Sequence, residues 1–236
     1  MTDTITTDVM LDLETMGTGP DAAIVAIGAV QMDIERGTVG DTFCATICLR
    51  SAVAAGGVMD ADTVLWWLRQ TGAARQALDR DALPIEQALA EFARWLPPKA
   101  RVWGNGADFD NVILARAYHR LGLAQPWGTY SNRCYRTLKA QRRNIEIVRT
   151  GTHHHALDDA VSQAQHLLAI MESLKPNGAA ADQLLLAALQ HAVAEYGRPG
   201  GPWNVPGDPG TWIASASRAI AAATGGAHAS ASSART

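Results

Sequence analysis

The sequence predicts an α/β fold: a mixed sheet of three antiparallel strands followed by parallel strands, flanked by helices and extended by a C-terminal helical appendage. Three observations predict it. Val- and Ile-rich runs joined by short turn-like connections fill the first fifty residues. From Asp60 onward apolar residues recur at helical spacing, with one strand-like run, Arg101-Val-Trp-Gly104, set among them. After Pro176-Asn-Gly178 the composition turns Ala/Leu-rich and then Pro/Gly-rich.

Val9-Met-Leu-Asp-Leu13 reads as the first strand and Ala22 to Met32 as the second. The turn-like Glu35-Arg-Gly-Thr-Val-Gly40 leads to a third strand, Thr42 to Leu49. Connections this short favour an antiparallel meander. Val64, Leu65, Trp67 and Leu68 mark a helix; Ala88, Leu89, Phe92, Trp95 and Leu96 mark another after Pro84. The fourth strand, Arg101 to Gly104, precedes a helix from Phe109 to Leu121 with Val112, Ile113, Ala117 and Leu121 inward. A long helix spans Leu157 to Leu174, with Leu157, Ala160, Val161, Ala164, Leu168 and Met171 as its buried stripe. The expected organisation is therefore a catalytic-type α/β domain over 1–175, a helical hairpin over 179–224 and a disordered tail over 225–236. In the hairpin, Asp208-Pro209 reads as an N-cap and first helical residue, turning Trp212, Ile213, Ala216 and Ile220 inward.

Composition narrows the function. With 236 residues and 47% hydrophobic content the chain can bury a substantial core. Its formal charge of -3 excludes a protein whose whole surface grips nucleic acid, so any such contact is local. The three cysteines, Cys44, Cys48 and Cys134, lack CxxC spacing, and Cys44 and Cys48 fall on one face of the third strand. Buried free thiols are the expectation, in a reducing, cytoplasmic setting. No apolar run approaches the roughly 18 residues that span a bilayer, and the acidic start, Met-Thr-Asp-Thr-Ile-Thr-Thr-Asp, is unlike a secretion signal. No membrane partner is expected.

Acidic residues concentrate at three places. Asp12 and Glu14 end the first strand two residues apart, which puts both carboxylates on one side at roughly 7 Å. Such a pair suits joint coordination of hard divalent ions, because metal charge offsets their repulsion; by itself it more often caps a strand at the solvent boundary. Asn105-Gly-Ala-Asp-Phe-Asp110 follows the fourth strand, where strand and helix ends converge and sites in such sheets collect. Asp108 suits a helix cap, whereas Asp110 is surplus to capping, with Phe109 anchoring the turn. The third is Gly151-Thr-His-His-His-Ala-Leu-Asp-Asp-Ala160. There Asp159 borders a protected cleft beside Ala156 and Ile170, and Asp158 is solvated among Ser162, Gln165 and Glu172. Periodicity does not choose among the three histidines.

Taken together, Asp12-Leu-Glu14-Thr15, Asn105-x-x-x-Phe109-Asp110 and His154-x-Ala156-x-x-Asp159 resemble the three motifs of the DEDD 3′-to-5′ exonucleases. The match is to the branch whose last motif begins with histidine, that of RNase T, oligoribonuclease and polymerase proofreading subunits. Three motifs in order are far more specific than any one. The resemblance selects His154, five residues before Asp159, over His153 and His155, which read as exposed loop residues. Asp60 to Gln70 and Cys134 to Leu138 further resemble phage-associated exoribonuclease-like members. Coverage runs from the first strand to Leu174 and omits the appendage.

The resemblance implies an RNase H-like fold and hydrolysis of the terminal phosphodiester at a free 3′ end of single-stranded or overhanging nucleic acid. RNA is slightly favoured over DNA, and 5′-mononucleotides are released. It implies two divalent cations, Mg²⁺ or Mn²⁺, about 3.5 to 4 Å apart. Asp12 would bridge them, Glu14 and Asp159 would bind the ion holding the attacking water, and Asp110 would act by ligation or through a water. His154 would be the general base, since an imidazole with a pKa near 6.5 accepts a proton close to neutral pH. Leu13, Thr15 and Met16 are expected in the nucleotide pocket together with Asn105, Phe109 and Arg136. Trp66 would stack on the terminal base, while Trp67 packs in the core against Val64 and Leu68. The basic run Arg133, Arg136, Lys139, Arg142, Arg143 and Arg149, interrupted only by Glu146, is equally a guide for a phosphate backbone and a solvated helix face. A homodimer is an expectation by analogy alone. The alternatives are a non-catalytic binding module on the same fold, against which all four acids and His154 argue, and an RNase H-type endonuclease, which needs no histidine there.

Overall fold

The computed structural model describes residues 8–175, 183, 186–191 and 220. The chain divides into two units, 1–174 and 175–236. In the second unit, residues 183, 186–191 and 220 are helical; the rest of the expected hairpin over 179–224, and the tail over 225–236, lie outside the described residues.

In the first unit β1 (Asp8–Thr15) pairs antiparallel with β2 (Ile24–Asp33), and β2 pairs antiparallel with β3 (Thr38–Thr46). The short helices α1 (Leu49–Ala54), α2 (Ala61–Leu68) and α3 (Gly72–Ala77) follow, then α4 (Ile85–Trp95). The chain returns to the other side of β1 as β4 (Arg101–Gly104), parallel to it, and after α5 (Asp110–Arg120) adds β5 (Asn132–Cys134), parallel to β4. It ends in α6 (Tyr135–Gln141) and α7 (Ala156–Leu174). The sheet order is β3-β2-β1-β4-β5, so the meander is as expected and β1 is central.

β1 is covered on both faces, which is why its sequence is nearly continuous in apolar residues. Val9, Leu11 and Leu13 join Ile85, Leu89, Phe92, Ile113 and Leu114 in one cluster. Met10 joins Trp103, Tyr135, Ala160, Ala164, Leu167 and Ile170 in the other. Asp8, Met10, Asp12 and Glu14 therefore share the α7 face. A one-residue slip would drive Asp12 and Glu14 into the apolar α4/α5 cluster, where a carboxylate without a partner is costly to bury. Burial thus sets the register that aims the carboxylates.

Several expectations are corrected. The inward face of α7 is rotated from the predicted stripe: Leu157, Val161 and Met171 are half-buried, whereas Ala156, Asp159, Gln163, His166, Leu167 and Ile170 are buried. Polar residues needed at the site occupy inward positions, so apolar periodicity misplaces the axis. Leu68 is exposed rather than packed on Trp67. Asp108 does not cap α5, whose N-cap position is Phe109 without a side-chain cap. Cys44 is exposed, and Cys48 and Cys134 are half-buried; all three are free thiols. Among the described residues no helix is long and apolar enough to cross a membrane.

Candidate active site

The carboxyl end of β1 supplies Asp12 and Glu14, just before the pairing with β2 shifts register at Glu14/Thr15. Asp12 lies opposite Gly28 of β2. A Cβ built on Gly28 would stand 2.1 Å from the Ala156 carbonyl carbon, so only glycine lets the start of α7 rest on the sheet there. That close approach brings Asp159, in the first turn of α7, over Asp12. One carboxylate oxygen from each of Asp12, Glu14 and Asp159 falls within 4.8 Å of the other two.

Asp110 arrives from the β4–α5 junction. Its Oδ1 accepts from the Leu13 amide at 3.1 Å and its Oδ2 from the Asn105 amide at 2.9 Å, which locks the carboxylate between β1 and β4. Gly104 makes room for it: a Cβ there would lie 3.1 Å from the Asp110 side chain and 2.4 Å from that of Asn111.

The loop before α7 is pinned to the helix. Asp158 accepts from the Thr152 amide at 2.7 Å, so it is a loop anchor rather than merely solvated. Asp159 accepts from the His154 amide at 2.9 Å through Oδ2 and from Arg149 at 2.7 Å through Oδ1. His154 has φ 63°, a left-handed conformation costly for a residue with a Cβ and held here by that amide bond. Its ring stands edge-on to Trp66, centroids 4.8 Å apart, and overlaps His153 at 3.8 Å. Trp66 is itself placed by α2: the neighbouring Trp67 indole donates to the Thr15 carbonyl at 2.9 Å, and the Asp60 amide donates to the Met16 carbonyl at 2.7 Å.

So many acids in one buried place resist ionisation. Burial first, then Asp110 and Glu14, push Asp12 well above the ordinary carboxylate range, although Gln163 pulls it back. Glu14 rises to about 8, by burial and then by Asp159 and Asp110. Burial lifts Asp110 to about 7 against the opposing pull of its backbone donors. His154 is lowered, by burial and then by His153, so it stays neutral at pH 7 and can accept a proton. A space of about 270 Å³ is lined by Asp12, Glu14, Asp110, His154 and Asp159, along with Leu13, Asn105, Phe109 and Arg136. A second hollow of about 550 Å³ shares Leu13, Glu14 and Phe109 with it and adds Thr15, Trp66 and Trp67. Met16 lines neither, being buried in the α4/α5 core cluster.

A profile of the 3′-5′ exoribonuclease Rv2179c-like domain matches residues 7–171, the whole stretch that builds this site. The chain belongs to that family. The exonuclease also resembles a moderately thermophilic Exonuclease I from Methylocaldum szegediense, at 16% identity and TM-score 0.50, over 72% of this chain and 41% of that one. That likeness is one of fold, the RNase H-like sheet with its flanking helices. Similar too are the nuclease domain of 3′hExo, a DEDDh family member, bound to rAMP (13% identity, TM-score 0.49, 73% of this chain and 95% of that one) and Exonuclease X in complex with 5′ overhanging duplex DNA (18%, 0.47, 72% and 94%). No curated protein matches the chain in sequence.

Three side chains in the exonuclease's site were not anticipated. Gln163 donates to Asp12 at 2.6 Å across 151 positions, Arg149 pairs with Asp159, and His153 lines the same cavity despite its exposure. Gln163 had one sequence signal, its place four residues after Asp159 on the same helix face. Arg149 appeared only as part of the basic run, and His153 had none.

Proposed function

We propose that the exonuclease hydrolyses the terminal phosphodiester at a free 3′ end of single-stranded or 3′-overhanging nucleic acid, RNA slightly before DNA, releasing 5′-mononucleotides. The observation that carries this reading is the meeting of acids from three separate segments beside a neutral, strained histidine. The donor set suits divalent cations. Three carboxylates with oxygens within 4.8 Å of one another, two of them, Asp12 and Glu14, resisting ionisation through burial and neighbouring acids, gain most from a hard cation at their centre. Arg149 already sets one positive charge against Asp159, and Gln163 Oε1, buried without a hydrogen bond among the described residues, leaves an acceptor for a hydrated ion. When bound, two Mg²⁺ or Mn²⁺ ions would polarise the phosphate and lower the pKa of the attacking water.

Asp12, Glu14 and Asp159 would hold the cations. Asp110, both of whose oxygens already accept backbone amides, acts through water. His154 takes the proton of the attacking water, its ring held over the cavity by Trp66 and His153. The hollow lined by Thr15, Trp66 and Phe109 receives the terminal nucleoside. The test is digestion of matched RNA and DNA oligonucleotides, labelled at the 3′ end, with and without divalent cation. Metal-dependent mononucleotides from the first time point are expected, faster from RNA; internal fragments would overturn the reading.

A further inference from the structure

The catalytic cavity opens onto two larger hollows of opposite chemistry. The one containing Trp66 and Trp67 carries the acids Asp60 and Asp62. The other, a groove of about 730 Å³, begins at Asn105 and Arg136, which it shares with the catalytic cavity, and runs along α6 past Lys139 and Arg143. Ile145 and Ile147 line it as well, and Glu146 is the one acid in its lining.

A strand degraded from its 3′ end is electrostatically lopsided about the bond that breaks. Beyond the scissile phosphate lies one nucleoside with no further phosphate; behind it lies a polymer with one negative charge per nucleotide. The acidic, aromatic hollow suits the first and would repel the second. The basic groove suits the second. We infer that the groove along α6 is the track for the body of the substrate strand, with Arg143 and Lys139 meeting its phosphates and Arg136 passing the last of them into the cavity. This rests on the exonuclease reading above.

The groove is a fixed feature of the fold. His166 donates from Nε2 to the Ile145 carbonyl at 2.9 Å and accepts from the Tyr135 hydroxyl at 2.6 Å through Nδ1. Just beyond the groove the same segment is tied to α7 again, the Thr150 amide donating to Ser162 at 3.0 Å and Arg149 to Asp159 at 2.7 Å. Arg136 donates to the Asn105 carbonyl, which sets its guanidinium where groove and cavity join. Among the described residues none of Arg136, Lys139 and Arg143 is paired with a carboxylate, so their charge is available to a ligand.

The test is the full chain with Lys139→Ala and Arg143→Ala together, neither residue being part of the catalytic machinery. On 3′-labelled single-stranded oligonucleotides about a dozen residues long, KM should rise about tenfold at low salt. The slope of log KM against log salt should fall by about 0.7 per cation removed, the single-strand value. Hydrolysis of a dinucleotide, too short to enter the groove, should keep its wild-type kcat and KM, and Lys139→Arg with Arg143→Lys should restore the oligonucleotide KM. Unchanged oligonucleotide KM and salt slope, or an equal loss on the dinucleotide, would overturn the assignment. Fluorescence anisotropy of the same labelled oligonucleotides with both proteins separates the two readings. A wild type that binds but does not cleave would sink the exonuclease proposal, and the difference in affinity and salt slope between the proteins would still decide the groove.

Discussion

Two ends of one strand face treat their acids in opposite ways. At the start of β1, Asp8 is 2% exposed and fully answered: Arg101 Nε donates to it at 2.8 Å, a second guanidinium nitrogen joins, and the Trp103 indole donates at 2.8 Å. Two pleats along the same face, Asp12 receives one amide from Gln163 and is surrounded by Asp110, Glu14 and Asp159. Burial of a carboxylate is tolerable where the chain supplies its countercharge. Around Asp12 the chain sets other acids in place of that countercharge, the arrangement that the proposed cations would complete.

The sharpest break between the two ends is neutralisation. Asp12→Asn or Glu14→Gln should abolish turnover yet leave melting in chelator unchanged or higher, because the amide relieves repulsion. Asp8→Asn should do the reverse, losing about 1–3 kcal/mol of stability with turnover per folded molecule retained. Equal destabilisation by both substitutions, measured by calorimetry in chelator, would erase the distinction. pH sharpens it. Glu14 goes from an ordinary 4.5 to about 8 on folding and Asp110 from 3.8 to about 7. Both folded values lie above the unfolded ones, so across that window the folded chain binds more protons. Metal-free stability should therefore fall as pH climbs from near 4 to near 8, Glu14→Gln should flatten the fall, and Mg²⁺ should reverse it at the alkaline end. A metal-free melting temperature that rises over this range would contradict the electrostatics described.

His154 sits at the functional end and has no counterpart at the other. His154→Ala should slow hydrolysis by roughly 10² to 10⁴-fold, the range for general acid-base groups, while Mn²⁺ titration reports unaltered affinity. Loss of Mn²⁺ binding in this variant would make His154 a ligand instead of a base. Because burial and His153 hold its pKa down, the rate should survive below the ordinary histidine range before it falls.

The end of β1 that carries the site was the more legible in sequence. Two acids spaced by two on an apolar run name a strand and a shared side, and their order with Asp110, His154 and Asp159 carries the resemblance to the 3′-to-5′ exonucleases. β4 was legible because three of its four residues are buried; β5, three residues long and half-buried throughout, offers no period to read. α7 was found, but its phase was not. Gln163 and His166 turn inward at positions outside the apolar stripe, and each is there for a polar partner reached from far along the chain, Asp12 and Tyr135. Arg149 was unreadable for the same reason, since its one strong bond depends on how the loop folds back on α7.

The smallest effect isolates the hydrogen bond that Gln163 gives Asp12. Gln163→Leu keeps the volume and removes the donor, and supporting bonds of this kind are worth roughly 10 to 100-fold in metal affinity. Gln163→Glu keeps shape and length and replaces the donor with a further negative charge. If Gln163 served only to fill the space beneath Asp12, the glutamate variant would bind Mn²⁺ better than the leucine one. If its amide orients and steadies the Asp12 carboxylate, both variants weaken binding. In that case metal-free Gln163→Glu should also melt lower at pH 8 than Gln163→Leu, because a fifth acid then joins a cluster that already cannot ionise freely.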